Sequence, residues 1–475
     1  MLVLLVAMLI TSWATPAKAL PLFNRQTGQN CVACHAGGQF PELTPYGRLF
    51  KMTGYTLGER VKVPLAAMVV ASLSKVANTS KSDNPDTDFQ KDNKLIFATA
   101  SLFLGGKITD NVGAFVQITY DPYATRTDDG QFHGHTNADN IDIRYADRFV
   151  DSTRDLIVGL SLNNNPSVSD PWNTAPAWMQ YVPVPSPTSS QFIDGATPYP
   201  GYAAGGNLAG ITAYTYWNRT LYAELGGYQT SRGLLSFMSA GLDGNASKTK
   251  LDGTNPYWRL AVNHEWGAHS LMIGTAGMTS KIYDDPLDTS DPATLHHVRD
   301  WSIDAQYQYL LDPHAVTGQL VYSHRRERYP DAQADQAAAF VDAAGNALAN
   351  TNAADTSKLL RAKLTYVYQA RYGGSLGFFN LTGSTNTANQ TTGFDPGTLA
   401  LTLDPNTSRV NANLSGNPGT RGWTYEAFVT PIQYVRVGAQ YTAYSRFNGA
   451  SSNYDGFGRN ARDNNSLFLY LWAAY

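Results

Sequence analysis

From Val61 to Tyr475 the chain is a succession of short segments in which apolar and polar side chains alternate, the period of a strand with two differently solvated faces. In Trp301-Ser302-Ile303-Asp304-Ala305-Gln306-Tyr307-Gln308-Tyr309 one face carries Trp, Ile, Ala and Tyr, and the other Ser, Asp and Gln. The same split recurs in Ile141-Asp142-Ile143-Arg144-Tyr145 and from Val435 to Ala443. Roughly sixteen such segments can be traced. A soluble β-sandwich alternates too, so alternation alone does not decide the class.

Connection length does. Short connections fall at 109–111, 150–153, 217–219, 266–268, 311–314, 369–372 and 431–433. Long polar stretches fall between them, near 73–92, 123–137, 165–205, 231–254, 284–298, 330–356, 386–419 and 449–464. Tight turns trading with long loops are the mark of an outer-membrane barrel with an even strand number and both ends on the periplasmic side. The last segment, Leu467 to Tyr475, is apolar at every second position and aromatic at its end. A strand that long and apolar invites aggregation when left open, so closure in lipid is the expected solution. The predicted fold class is therefore all-β, a transmembrane antiparallel β-barrel of about sixteen strands.

Composition agrees. Charge is sparse and nearly balanced, with 35 Lys and Arg against 38 Asp and Glu, which argues against nucleic acid as a partner. Past the N-terminus no window approaches the eighteen or so continuous apolar residues of a membrane helix. Residues 1–19 hold an apolar run, Leu2 to Ile10, and end in Ala17-Lys18-Ala19, a small-x-small cleavage site; this is a secretory signal, although no Lys or Arg precedes Lys18.

The only two cysteines stand in Cys31-Val32-Ala33-Cys34-His35, the spacing of a c-type haem attachment site. Two thiols bond covalently to the porphyrin and the adjacent imidazole ligates the iron, so one block implies one covalent haem c. The competing reading, a thioredoxin-like dithiol pair, belongs at the end of a strand in a βαβ pattern, and none surrounds it. Residues 20–60 are too few for a sufficient apolar core of their own. A barrel of this strand number encloses a lumen wider than its side chains fill. These residues are thus expected to form a haem-bearing plug at the periplasmic side of the lumen, with a freely hanging periplasmic haem domain as the other arrangement.

The stretches Phe23 to Gly28, Cys31 to His35, Pro41-Glu42-Leu43, Tyr46 to Lys51 and Gly54-Tyr55 resemble the N-terminal module of outer-membrane cytochrome–porin fusions implicated in bacterial Fe(II) oxidation. The resemblance implies a monohaem cytochrome fused to a porin-like barrel over 61–475. Such a protein takes electrons from extracellular Fe(II) as an oxidoreductase and passes them to a periplasmic carrier, a cytochrome or copper protein. Two other classes stay open: a haem-plugged diffusion porin, and a surface cytochrome that reduces external acceptors.

His35 is the expected proximal ligand. Met52 is a candidate distal ligand that would raise the potential, or else a gap-filling thioether beside Phe50 and Tyr55. Arg25, Arg48 and Lys51 are candidates for pairing with haem propionates, or else solvated cations. In the loops, His133 and His135 near Asp128 and Asp129, and His296 and His297 after Asp284, Asp285, Asp288 and Asp291, have the donor types of a divalent-metal site. Lumen-facing Asp142, Arg144, Glu224, Asp304, Arg361, Lys363 and Arg436 are what any water-filled barrel shows and carry no catalytic role.

Overall fold

The computed structural model describes residues 22–38, 40–78, 95–126, 132–174, 208–239, 250–283, 289–292, 295–328, 352–386, 394–395, 400–401, 403–404, 409–410, 415–454 and 458–475. The signal segment lies outside them.

Sixteen strands close into one antiparallel barrel. They are β1 (Leu65–Val76), β2 (Leu95–Lys107), β3 (Val112–Arg126), β4 (Phe132–Val150), β5 (Asp155–Asn163), β6 (Leu208–Trp217), β7 (Leu221–Thr230) and β8 (Asn255–Trp266). The second half comprises β9 (His269–Tyr283), β10 (Leu295–Leu311), β11 (His314–Arg328), β12 (Ala354–Tyr368), β13 (Tyr372–Gly383), β14 (Thr420–Ile432), β15 (Val435–Arg446) and β16 (Ser466–Ala474). Every strand pairs with its neighbour in sequence, and β16 closes the ring on β1 with Val70 opposite Trp472. No edge remains, which is how a sheet satisfies its backbone in lipid.

Alternation becomes inside and outside. On β10 the outward Trp301, Ile303 and Tyr307 are exposed, whereas the inward Ser302, Asp304, Gln306 and Gln308 are buried. All seven short connections appear as tight turns at one end of the barrel. Two expected loops are shorter than the polarity of their sequence suggested. β3 and β4 run on until only 127–131 separate them, and β10 begins at Leu295. Polar residues that alternate, such as His133 and His135 or Arg299 beside Asp300, are strand there because a barrel wall beyond the lipid is wet on both faces.

The N-terminal segment lies inside the mouth of the barrel at the short-turn end. It holds three short helices, α1 (Leu22–Thr27), α2 (Cys31–Cys34) and α3 (Pro45–Met52). Thr44 caps α3, accepting a hydrogen bond from Gly47 N at 3.1 Å, with Pro45 starting the first turn. A small aromatic core forms from Phe23, Phe50 and Tyr55, and the wall contributes Phe115 to it.

Candidate functional site in the barrel mouth

Both cysteines are unpaired thiols on the four-residue α2, three positions apart and so on one side of the turn. α3 lies directly on this turn. A side chain at Gly47 would place its first carbon 2.1 Å from the Cys34 carbonyl oxygen, so only glycine permits the approach. The Thr44 amide donates to the same carbonyl at 2.9 Å, and the Ala36 amide to Glu42 O at 2.9 Å. α2 is thereby held against the strap that leads into α3.

His35 follows at the end of α2, its ring 4.0 Å from that of Phe40, which in turn lies 5.4 Å from Trp472 on β16. Burial pushes the imidazole down to about 4, and the Glu42 backbone only partly offsets this. The ring is therefore neutral near pH 7, the form that ligates iron. Its Nδ1 is buried without a hydrogen-bond partner. Burial also pushes both thiols up, Cys34 to about 11 with the Cys31 charge adding to the effect. A redox dithiol depends on the opposite shift. Unpaired thiols on one face and a neutral, buried imidazole fit a covalent c-type haem, which Cys31 and Cys34 would hold through two thioether bonds and His35 through its imidazole.

The other predicted cofactor contacts separate. Arg25 donates to the Leu65 carbonyl and keeps a buried Nε with no partner, so it retains a donor for an anionic group. Arg48 is engaged by the wall. Its guanidinium, 1% exposed, donates to Leu43 O at 2.9 Å, Gln308 Oε1 at 2.8 Å and Ser270 Oγ at 2.8 Å, and lies 3.6 Å from Glu265. It anchors the module to the wall. Lys51 likewise donates to the Asp170 backbone at 2.9 Å.

Met52 is packed in a wall cluster with Ile157, Trp172, Tyr214, Tyr222 and Met272, and its carbonyl accepts from Tyr214 Oη at 2.8 Å. This contact is the one the packing alternative for Met52 describes. A thioether fills the irregular gap between the end of α3 and the wall.

A second inward element was not legible from the sequence pattern. After β5 the chain turns into the lumen through a short helix, α4 (Pro166–Ser169), and continues to Thr174. Arg259 of β8 holds it, 3.0 Å from Asp170 and 2.8 Å from Asp304, all three fully buried. Trp172, also fully buried, fills the space beside Met52, and its carbonyl accepts from Gln306 at 2.8 Å. Asn173 donates to Pro41 O at 2.6 Å. Plug and inward loop thus meet across the lumen. The only hint was an Asp-Pro-Trp run within a long polar stretch, indistinguishable in pattern from an external loop.

Asp142, Arg144, Glu224, Asp304, Arg361 and Arg436 are buried within the barrel, as predicted for a lumen. Lys363 pairs with Glu42 of the plug at 3.2 Å, and Tyr55 donates to Asp142 at 2.6 Å. Among the described residues no group of three metal-ligating side chains exists. His296 pairs with Glu327 at 2.7 Å, while Asp128, Asp129, Asp284, Asp285 and Asp288 fall outside the described residues.

The fold is a closed antiparallel barrel of sixteen strands. No protein-family model and no curated protein sequence matches the chain. Among solved structures it is similar to the outer membrane channel DcaP of Acinetobacter baumannii, at 12% identity and a TM-score of 0.43, over 86% of this chain and 96% of that one. It is similar to OprB of Pseudomonas putida at 12% identity and a TM-score of 0.47, over 86% and 93%. It is also similar to OmpF of Salmonella typhi at 11% identity and a TM-score of 0.45, over 86% and 97%.

Proposed function

We propose that this chain is a bacterial outer-membrane cytochrome–porin that takes electrons from extracellular Fe(II) and delivers them to a periplasmic carrier. The observation that carries the reading is the Cys31-Cys34-His35 block on a module seated in the mouth of a closed barrel. When bound, a single haem c supplies a one-electron couple there. The protein's own residues do the rest. Cys31 and Cys34 fix the group so that it does not diffuse away, His35 presents a neutral imidazole, and Gly47 lets α3 brace the attachment turn. Arg48, Glu42 and Lys51 tie the module to the wall and the inward loop. Fe(II) as the donor rests on the resemblance of residues 23–55 to cytochrome–porin fusions. A route that admits the electron alone keeps insoluble ferric product outside the cell.

The barrel itself favours a second reading, a diffusion porin whose haem serves only as a structural plug, because a closed barrel of sixteen strands with a polar lumen is a channel architecture. Covalent attachment and redox response separate the two. Cells that mature c-type cytochromes should yield protein whose haem resists acidified organic solvent, and Cys31→Ala or Cys34→Ala should abolish or sharply reduce that fraction. Complete extraction of haem from the wild type overturns the proposal.

A further inference from the structure

On the outer surface of the barrel, one side departs from the general apolar character at the long-loop end. β10, β11 and β12 present outward rows with no carboxylate, and the top of these rows carries His297 and Arg299, Arg326 and Arg328, and Lys358. All five are exposed. Register brings them together: His297 lies opposite Arg328, Arg299 opposite Arg326, and His324 opposite Lys358. The acids at this level point the other way, Asp300 pairing inward with Arg325 at 3.0 Å and Glu327 with His296 at 2.7 Å. Arg299, Arg326, Arg328 and Lys358 have no ion-pair or hydrogen-bond partner among the described residues. Just below them Trp301, 39% exposed, stacks on His324 with ring centres 5.5 Å apart, the position of an interfacial aromatic.

Lower on the same side, an apolar groove of about 500 Å³ runs across the lipid-facing surface of β9 to β14, centred on these three strands. Small residues, Ala305, Gly318 and Ala362, form its floor, and Leu320, Leu364 and Trp423 its sides. Arg299 and Ala305, Arg326 and Leu320, and Lys358 and Leu364 are each six positions apart along a strand. At about 3.4 Å per residue this is roughly 20 Å along the strand. With a tilt near 40° it is about 15 Å along the membrane normal, close to half the hydrocarbon thickness.

We infer that this face is a binding site for a phosphorylated, multiply acylated lipid of the outer leaflet, with its phosphates on Arg299, Arg326, Arg328 and Lys358 and one acyl chain in the groove beneath. Charge complementarity selects the headgroup. Unpaired cations set above an aromatic belt gain most from phosphates held at that depth, and the groove one leaflet's depth below accounts for the chain. The inference rests on the outer-membrane orientation proposed above and is independent of the haem.

Native mass spectrometry of the full-length protein in detergent tests it, with bis-phosphorylated lipid A, its dephosphorylated form and inorganic phosphate as probes. The wild type should retain the bis-phosphorylated lipid, and Arg299→Glu/Arg326→Glu/Lys358→Glu should weaken that retention about tenfold or more. Dephosphorylated lipid should bind both proteins weakly. Ala305→Trp, which fills the groove, should weaken the phosphorylated lipid while leaving the cations in place. Should the charge-reversed protein fail to fold, Arg299→Gln/Arg326→Gln reads the same effect in the same direction. Equal retention by wild type and variants overturns the site. So does displacement of the lipid by inorganic phosphate at similar concentration, or a lipid-free oligomer that forms through this face. The assay contains no outer membrane, so its failure is distinct from failure of the localisation, which cell fractionation reads directly.

Discussion

Arg48 shows at the scale of one residue how the plug is held. A buried guanidinium is tolerated because wall oxygens from Gln308 and Ser270 receive its hydrogens and Glu265 lies nearby. Replacing it with a hydrophobe of similar length strands those acceptors. Arg48→Met is expected to weaken seating of the module by about 3 kcal/mol, roughly a hundredfold in the ratio of seated to released forms. Limited proteolysis within residues 22–60 of the folded barrel measures it, and an unchanged cleavage rate would contradict the anchoring role. Lys51 makes a pH-dependent prediction. Burial pushes its ammonium down to about 8 from the usual 10.5, with the Arg144 charge adding to the effect. The released module therefore binds more protons than the seated one between these values, so seating strengthens as pH rises from about 8 towards 10.5. Relative to Lys51→Met, thermal release of the wild-type module should shift upward by about 3 kcal/mol across that range. A difference that stays flat with pH would show the ammonium to be solvated.

At the scale of elements, the strands and their turns were legible because a wall residue's side is fixed by a period of two, and the short turns must be tight to join adjacent strands. Trp301 and Asp304 face outward and inward as their alternation requires. Loop lengths were less legible. His133 and His135, and His296 beside His297, read as loop because both faces of a strand beyond the lipid are polar, so pattern alone does not distinguish them from coil. The inward turn at Pro166–Ser169 was invisible for a different reason. What holds it is the long-range triad of Asp170, Arg259 and Asp304, brought from three separate segments of the chain. Arg259→Leu leaves two buried carboxylates without their cation, a cost of about 3–5 kcal/mol. Backbone amides from Ser167 to Thr174 should then exchange with deuterated water on the order of a hundredfold faster. Unaltered protection there would mean that packing of Trp172 alone holds the loop.

At the scale of the whole molecule, the Cys31-Cys34-His35 block is legible as a candidate attachment site because covalent haem chemistry would demand two thiols and an imidazole at fixed spacing, a local constraint. Propionate contacts and the distal ligand depend instead on which surfaces the barrel brings against the module. Arg48 and Met52 therefore found wall partners that no spacing could announce. Under the proposed function, a haem held on the attachment turn in the barrel mouth would stand at one end of a path through the barrel, the geometry an inward electron route needs. The most direct measurement is rapid mixing of the purified, fully oxidised full-length protein with excess Fe(II) under acidic conditions, where Fe(II) is stable to air. Prompt appearance of the reduced haem spectrum is the expected result. A haem that stays oxidised, with a potential far below that of the iron couple at the same pH, would contradict Fe(II) oxidation.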